Sequence, residues 1–242
     1  MNQPLFFSIV VPAHNEEKYI EKTLAHLYSL DYPKESYEVI VVENGSSDAT
    51  AAVAQSAIDK SASKNVRLLS FSQKGVAFAR NRGIEAGNSK ADWVIFIDAD
   101  TLVKKTCLAE LNAFLAKPSS AKHSMGTGSL RPIPATLIAR FYFLWQDGLH
   151  HLTKTAYGAF FIVRRSVVDT HHFDEQLSIT EDGEICAAAR ATGTFFYLGT
   201  PLAETSTRRF DKEGWLWTLL YSAGIAFLPL EKRRTLTYKV IR

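Results

Sequence analysis

The amino-acid sequence predicts an α/β fold on a mostly parallel central sheet, and three observations carry that prediction. Short apolar runs alternate with segments whose apolar residues recur every three or four positions, in the order strand, helix, strand, helix. Polar residues crowd the ends of the apolar runs, as they do along the ligand edge of a parallel sheet. One run, Trp93-Val94-Ile95-Phe96-Ile97, has no polar position at all and reads as a strand covered on both faces.

Taken in order, residues 5–11 form a first strand, closed by Pro12-Ala13-His14-Asn15-Glu16-Glu17. Tyr19, Ile20, Thr23, Leu24 and Leu27 then give one apolar helix face, and residues 31–36, with Pro33, make a loop. A second strand over 37–42 ends at Glu43-Asn44-Gly45-Ser46-Ser47-Asp48, and an alanine-rich helix covers 50–58. Residues 66–71 make a third strand, residues 74–87 a third helix, 93–97 the fourth strand and 106–115 another helix. A loop at 118–124 precedes a strand at 125–130. Past Pro132 and Pro134 an aromatic helix runs over 136–152. Residues 157–163 read as a strand whose Gly158 admits close approach of backbone or ligand. A helix over 179–190 is opened by Thr180 and the acids after it, and 195–198 is a short strand.

Composition narrows the class. The 242 residues are 46% hydrophobic, 22% charged and 12% aromatic, which describes a globular chain. A net charge of +3 and a pI near 8.8 suit an anionic substrate or a membrane surface, without the basic stripe that nucleic acid requires. Cys107 and Cys186 lie far apart with no metal-type spacing, and residues 1–11 have no basic leader segment, so a reduced, cytoplasmic setting is expected. Aromatics thicken and the alternation weakens after residue 117, which sets an expected border between a nucleotide-binding half, 1–117, and an acceptor-binding half, 118–210.

Chemistry concentrates at Asp98-Ala99-Asp100, where the buried strand stops. In an extended chain residues two apart point the same way, so both carboxylates can face one hard cation, Mg²⁺ or Mn²⁺, that keeps room for phosphate oxygens. A solvated turn is the alternative reading. His150-His151 and His171-His172 are not expected to share a metal, since neighbouring residues on a helix diverge. The aromatics Phe141 to Trp145 read as core, with Trp145 the candidate for stacking on sugar. Residues 215–230 are apolar and followed by Lys232-Arg233-Arg234. They are too short and too interrupted to span a bilayer, and fit either an interfacial helix or a terminal helix packed on the body.

Several segments stand in order along the chain: residues 8–17, 41–50 and 74–83, then Asp98-Ala99-Asp100, Gly158-Ala159-Phe160, Phe173-Asp174-Glu175, and Glu181-Asp182 followed by Arg190. In this order and spacing the set resembles the family 2 glycosyltransferases. The resemblance implies a GT-A type, Rossmann-like, mostly parallel sheet with helices on both faces and a smaller acceptor-binding second half. It also implies a nucleotide-sugar donor, Mg²⁺ or Mn²⁺ on Asp100 and Asp98, and inversion at the anomeric carbon.

On that basis Pro12, Glu16, Glu43, Arg80, Asp98 and Gly158 are expected to line the donor pocket. Glu43 and Asn44 depart from the acids usual in the family, which leaves the base open. Asp48 reads as a turn or cap residue. Lys74 and Arg80 meet phosphate or base, or lie on a helix surface. Arg208 and Arg209 clamp phosphate or, more often in such sequences, form a solvated turn. Asp182 is the expected general base, and Glu181 holds the acceptor or orients its loop.

The expected reaction moves a hexosyl unit, from a UDP-sugar, to a hydroxyl of a glycan or lipid-linked acceptor, with peripheral membrane contact through residues 211–242. A sugar-nucleotide pyrophosphorylase would need a glycine-rich loop where Pro12-Ala13-His14-Asn15-Glu16 stands. A non-catalytic carbohydrate-binding protein of the same fold would have no use for four acids at Asp98, Asp100, Glu181 and Asp182.

Overall fold

Strands with an apolar residue at nearly every position need cover on both faces, and the helices supply it. The computed structural model describes residues 3–61, 63–176, 182–215 and 217–218. Strands β1 (Phe7–Ala13), β2 (Tyr37–Asn44), β3 (Val66–Phe71) and β4 (Trp93–Ile97) run parallel to one another, as the alternation predicts. β5 (Thr101–Val103), β6 (His123–Ile133), β7 (Phe160–Arg164) and β8 (Thr194–Ser206) complete one sheet in the order β3-β2-β1-β4-β7-β6-β8-β5. β7 is antiparallel to both β4 and β6, β8 is parallel to β6, and β5 is antiparallel to β8.

Alternate residues of the central strands feed two cores. Phe7, Ile9, Val11, Trp93, Ile95 and Ile97 meet α1 (Ile20–Tyr28), α2 (Thr50–Ser61) and α4 (Cys107–Leu115) on one side. Val10, Val94 and Phe96 meet α3 (Val76–Ala86), α6 (Arg165–Val168) and α7 (Asp182–Thr192) on the other. α5 (Leu137–Thr153) and α8 (Arg208–Glu213) close the second half. The sheet runs unbroken past residue 117, and only β7 and the short β5 run against the other strands in it. Cys107 and Cys186 are both buried, in opposite cores.

Three expectations need correction. The strand read at 195–198 runs from Thr194 to Ser206, because pairing with β6 absorbs Gly199 and Pro201 through shifts of register at Gly128/Ser129 and Ser129/Leu130. β5 is too short to show a period, and exists because β8 offers it an edge. The aromatic helix forms, but only Ala139, Tyr142 and Phe143 on it are buried, while Phe141, Leu144 and Trp145 are exposed. Tyr142 and Phe143 suffice to fasten it, so Phe141, Leu144 and Trp145 on either side of the pair face out.

α3 approaches β1 so closely that a Cβ at Gly83 would sit 2.2 Å from Cγ1 of Val10. Helix propensity alone would favour Gly83→Ala by about 1 kcal/mol, but overpacking costs about 1–3 kcal/mol. The variant should therefore lose up to about 2 kcal/mol in urea titration, and Val10→Ala in the same chain should recover part of it.

His150 shares a hydrogen bond with Thr155 Oγ1 at 2.9 Å, and its ring centre lies 4.2 Å from that of Tyr157, tilted by 58°. Burial presses its pKa down from 6.5 to about 4, so the folded chain holds it neutral. Between those values the unfolded chain binds the extra proton, and stability should fall as the pH drops through that window. His150→Asn should flatten the decline in melting temperature between pH 7 and pH 4.5.

Candidate active site

The parallel strands β1, β2 and β4 all end at one edge, which gathers the loops after Ala13, Asn44 and Ile97. The first two loops are stitched side chain to backbone. Asn15, held at φ 55°, donates from its backbone N to Ser46 Oγ at 3.0 Å, and Ser47 N donates to Asn15 Oδ1 at 2.6 Å. Asp48 accepts from Thr50 N at 2.9 Å and from Glu17 N at 3.3 Å, so it is the turn and cap residue that its sequence context implied. Glu43 is buried and accepts from Ser46 N at 2.6 Å, closing the turn through Gly45. Pro12 is buried in β1, paired in register with Val42. Lys74 is exposed in the loop ahead of α3.

At the end of β4 the chain does not stay extended. Asp98 O accepts from Thr101 N at 3.0 Å and closes a turn, after which β5 departs toward β8. The two carboxylates are therefore drawn to different arginines rather than aligned along a strand. Ile97 pairs with Phe160, which brings the start of β7 alongside, and Asp98 N donates to Ala159 O at 3.1 Å. Thr101 pairs with Thr205, and that register carries Arg208 to Asp100.

Arg208 is the hub of this corner. Its guanidinium forks onto both oxygens of Glu16, at 2.8 Å for Nη1 to Oε2, while Nε lies 3.2 Å from Asp100 Oδ2. The cation also sits 4.4 Å from the ring of Tyr19. Burial pushes the Asp100 carboxyl above its ordinary range, and Arg208 pulls against that shift. Burial likewise works against the Arg208 charge, but Glu16 and Asp100 outweigh it and its pKa rises. The solvated basic turn expected from the sequence is thus corrected: the acids that hold Arg208 come from segments remote in sequence, invisible to local reading.

Of the two readings of Arg80, the helix-surface one is excluded. The residue is 2% exposed, set 5.1 Å from the ring of Phe161 and 5.4 Å from that of Phe173. Nη2 donates to Gly158 O at 3.0 Å and lies 3.8 Å from Asp98 Oδ1. Asn81, which the sequence did not single out, exchanges two 2.9 Å bonds with the backbone of Phe173 and donates to Glu175. It joins the segment 74–83 to the segment 173–175, a link that the adjacency of Arg80 and Asn81 on α3 makes possible. His150 and His151 diverge, toward Tyr157 and Tyr197. Glu181 and the side chain of Asp182 lie outside the described residues, although the backbone of Asp182 opens α7.

The donor set at this edge fits a hard divalent cation. Asp98 and Asp100 offer carboxylate oxygens of the kind such an ion takes, and the buried Asp100 already has the Arg208 cation beside it. Among the described residues no three His, Cys, Asp or Glu side chains converge into a cage, so such an ion would take its remaining ligands from phosphate and water. Arg208→Met would leave Glu16 and Asp100 facing each other without compensation. It should cost about 2–4 kcal/mol in chemical denaturation, and Arg208→Lys, lacking the fork, should recover only part.

The sequence model of glycosyl transferase family 2 matches residues 8–171. A dolichyl N-acetyl-α-D-glucosaminyl phosphate 3-β-D-2,3-diacetamido-2,3-dideoxy-β-D-glucuronosyltransferase of Methanococcus voltae is 35% identical over 94 residues, covering 39% of this chain and 29% of that protein. Among solved structures, Staphylococcus aureus TarS residues 1–349 with UDP-GlcNAc superposes with a TM-score of 0.66 at 20% identity, over 84% of this chain and 59% of the other. The Pyrobaculum calidifontis mannosyltransferase PcManGT, solved with GDP-Man and Mn²⁺, gives 0.68 at 20% identity, over 85% and 57%. The chain thus spans under a third of the Methanococcus relative and under two thirds of either solved chain, and these two structural likenesses establish the GT-A fold. With two thirds of its length matched by one family model, the chain belongs to glycosyl transferase family 2.

Proposed function

We propose that this protein is an inverting glycosyltransferase that moves a hexosyl unit from a nucleotide-sugar, a UDP-sugar in the first instance, to a hydroxyl of a glycan or lipid-linked acceptor. The observation that carries the reading is the convergence of Asp98, Asp100, Glu16, Arg80 and Arg208 at the carboxyl edge of the sheet. In this reading residues 1–117 bind the donor and 118–210 the acceptor. Names of similar proteins point the same way: TarS was solved with UDP-GlcNAc, PcManGT with GDP-Man and Mn²⁺.

Pro12, Glu16 and Glu43 border the nucleoside, and Gly158, with no side chain, leaves room for the sugar beside Asp98. Mg²⁺ or Mn²⁺ held by Asp100 with Asp98 supplies Lewis-acid screening of the diphosphate. Arg208 lies where negative charge gathers on the leaving group, and its fork onto Glu16 fixes its direction. Arg80, buried and aimed at Asp98 and Gly158 O, keeps the floor of the pocket rigid.

Asp182 takes the acceptor proton as the acceptor oxygen bonds to the anomeric carbon from the face opposite the diphosphate. The carbon–phosphate-oxygen bond breaks with its electron pair leaving on the nucleoside diphosphate, and the configuration inverts. Glu181 holds the acceptor. The enzyme is taken to work in the cytoplasm, peripheral to the membrane; among the described residues no helix is long and apolar enough to cross one.

Asp182→Asn should reduce transfer at least a thousandfold while a nucleotide-sugar still raises the melting temperature as in the parent chain. Asp100→Ala or a chelator should abolish that thermal shift. Transfer at an undiminished rate by the Asp182 variant would remove the base assignment. A donor shift insensitive both to the chelator and to Asp100→Ala would remove the metal assignment.

A further inference from the structure

α5 turns its apolar side outward. Leu137, Ile138, Phe141, Leu144, Trp145 and Leu152 are between 43% and 79% exposed and recur at steps of three, four and seven, so they form one stripe. The helix has 17 residues, and at 1.5 Å each the stripe runs for about 25 Å. Trp217 is the other large hydrophobic residue exposed among those described, and it follows Trp215, which lies 5.7 Å from Tyr142 of α5. An apolar strip of this length on a water-facing surface marks a contact.

Charge around the stripe selects the partner. The one acid of α5, Asp147, is turned inward, accepting from Ser129 Oγ and Tyr157 Oη at 2.6 Å each. Arg140 and His151 are exposed on the helix, Lys154 is exposed just past it, and Arg190 donates to Lys154 O at 3.0 Å. The stripe is therefore bordered by Arg140, Lys154 and tryptophan, with no outward carboxylate on the helix itself and Asp211 bonded to the Trp215 indole at 3.1 Å. Two copies packed antiparallel along it would bring Arg140 of one toward Lys154 of the other with no acid between. A bilayer with anionic headgroups instead accepts apolar side chains below and cations at its surface.

We propose that α5 is a membrane-seating helix that lies in the headgroup plane of an anionic bilayer. The acceptor then reaches the site on a lipid carrier; this last step rests on the transferase reading, whereas the seating does not. Tyr157 connects the two regions, bonding Asp147 of α5 through its hydroxyl and standing next to Gly158, whose carbonyl holds Arg80. The Methanococcus relative carries a dolichyl phosphate in its name, a lipid-linked acceptor.

Flotation of the full chain with phosphatidylcholine vesicles, alone or with one-third phosphatidylglycerol, tests the assignment. The parent chain should float with the anionic vesicles and remain with the protein fraction on neutral ones. Leu137→Ser, Leu144→Ser and Leu152→Ser combined should cut the bound fraction at least tenfold with the melting temperature kept, since all three side chains face water. Phe227→Ser with Leu228→Ser should stay bound. Failure of the parent chain to float, or detachment of the Phe227/Leu228 variant while the leucine variant still floats, would overturn the proposal. So would a dimer in sedimentation velocity that the leucine substitutions dissociate. A chain that glycosylates a water-soluble acceptor but never floats loses the seating and keeps the transferase reading; one that floats but transfers no sugar from any donor does the reverse.

Discussion

A carboxylate stripped of water has to meet positive charge, and much of this chain's layout follows from how Asp100 meets it. β4 is paired on both sides, by β1 and β7, and its end is closed by the turn from Asp98 to Thr101. The chain leaves the middle of the sheet there and re-enters at its far edge as β5, where pairing with β8 brings the end of that strand back to the turn. Arg208 thereby reaches Asp100 and, 192 residues away in sequence, Glu16. One guanidinium ties the loop after the first strand, the turn after the fourth and the segment after the last. Its planar fork suits this task in a way that an ammonium does not.

Arg80 solves a related problem from the opposite core. A cation at 2% exposure is costly unless its charge is spread, and here two aromatic rings, a backbone carbonyl and a half-exposed aspartate share it. The consequence is rigidity where the donor pocket is proposed to lie, since Asp98, Gly158 and the Phe173 loop all refer to one helix. Asn81 extends the same helix's reach by bonding both backbone groups of Phe173. The neighbouring surface follows a different logic: α5 is fastened by Tyr142 and Phe143 against Phe210, which leaves its opposite side turned to the surroundings.

Particular residues show why reading the sequence succeeded in some places and not in others. Asp48 was legible because a cap acts on amides within two residues, and Thr50 supplied one. The buried run at β4 was legible because period and hydrophobicity are local properties. The burial of Arg80 and Arg208 was not legible, because a lone arginine gives no sign of which distant ring or acid will enclose it. That Phe141 and Leu144 face out of α5 was not legible, since an amphipathic pattern states that two sides differ and not which one the rest of the protein covers.

By itself the sequence determined the alternation of strand and helix, the parallel first half, the concentration of polar groups at strand ends and the two carboxylates at the tip of the central strand. Those properties depend on interactions between residues a few positions apart, and the amino-acid order contains them in full. Only the tertiary structure decided that Asp98 answers to Arg80 and Asp100 to Arg208, that a three-residue strand crosses to the far edge, and that an aromatic helix faces outward. The first two rest on the pairing register of strands distant in sequence, Ile97 with Phe160 and Thr101 with Thr205, and the third on the packing of Tyr142 and Phe143 against Phe210. Register is fixed by packing the whole sheet at once, so no local stretch of the chain encodes it.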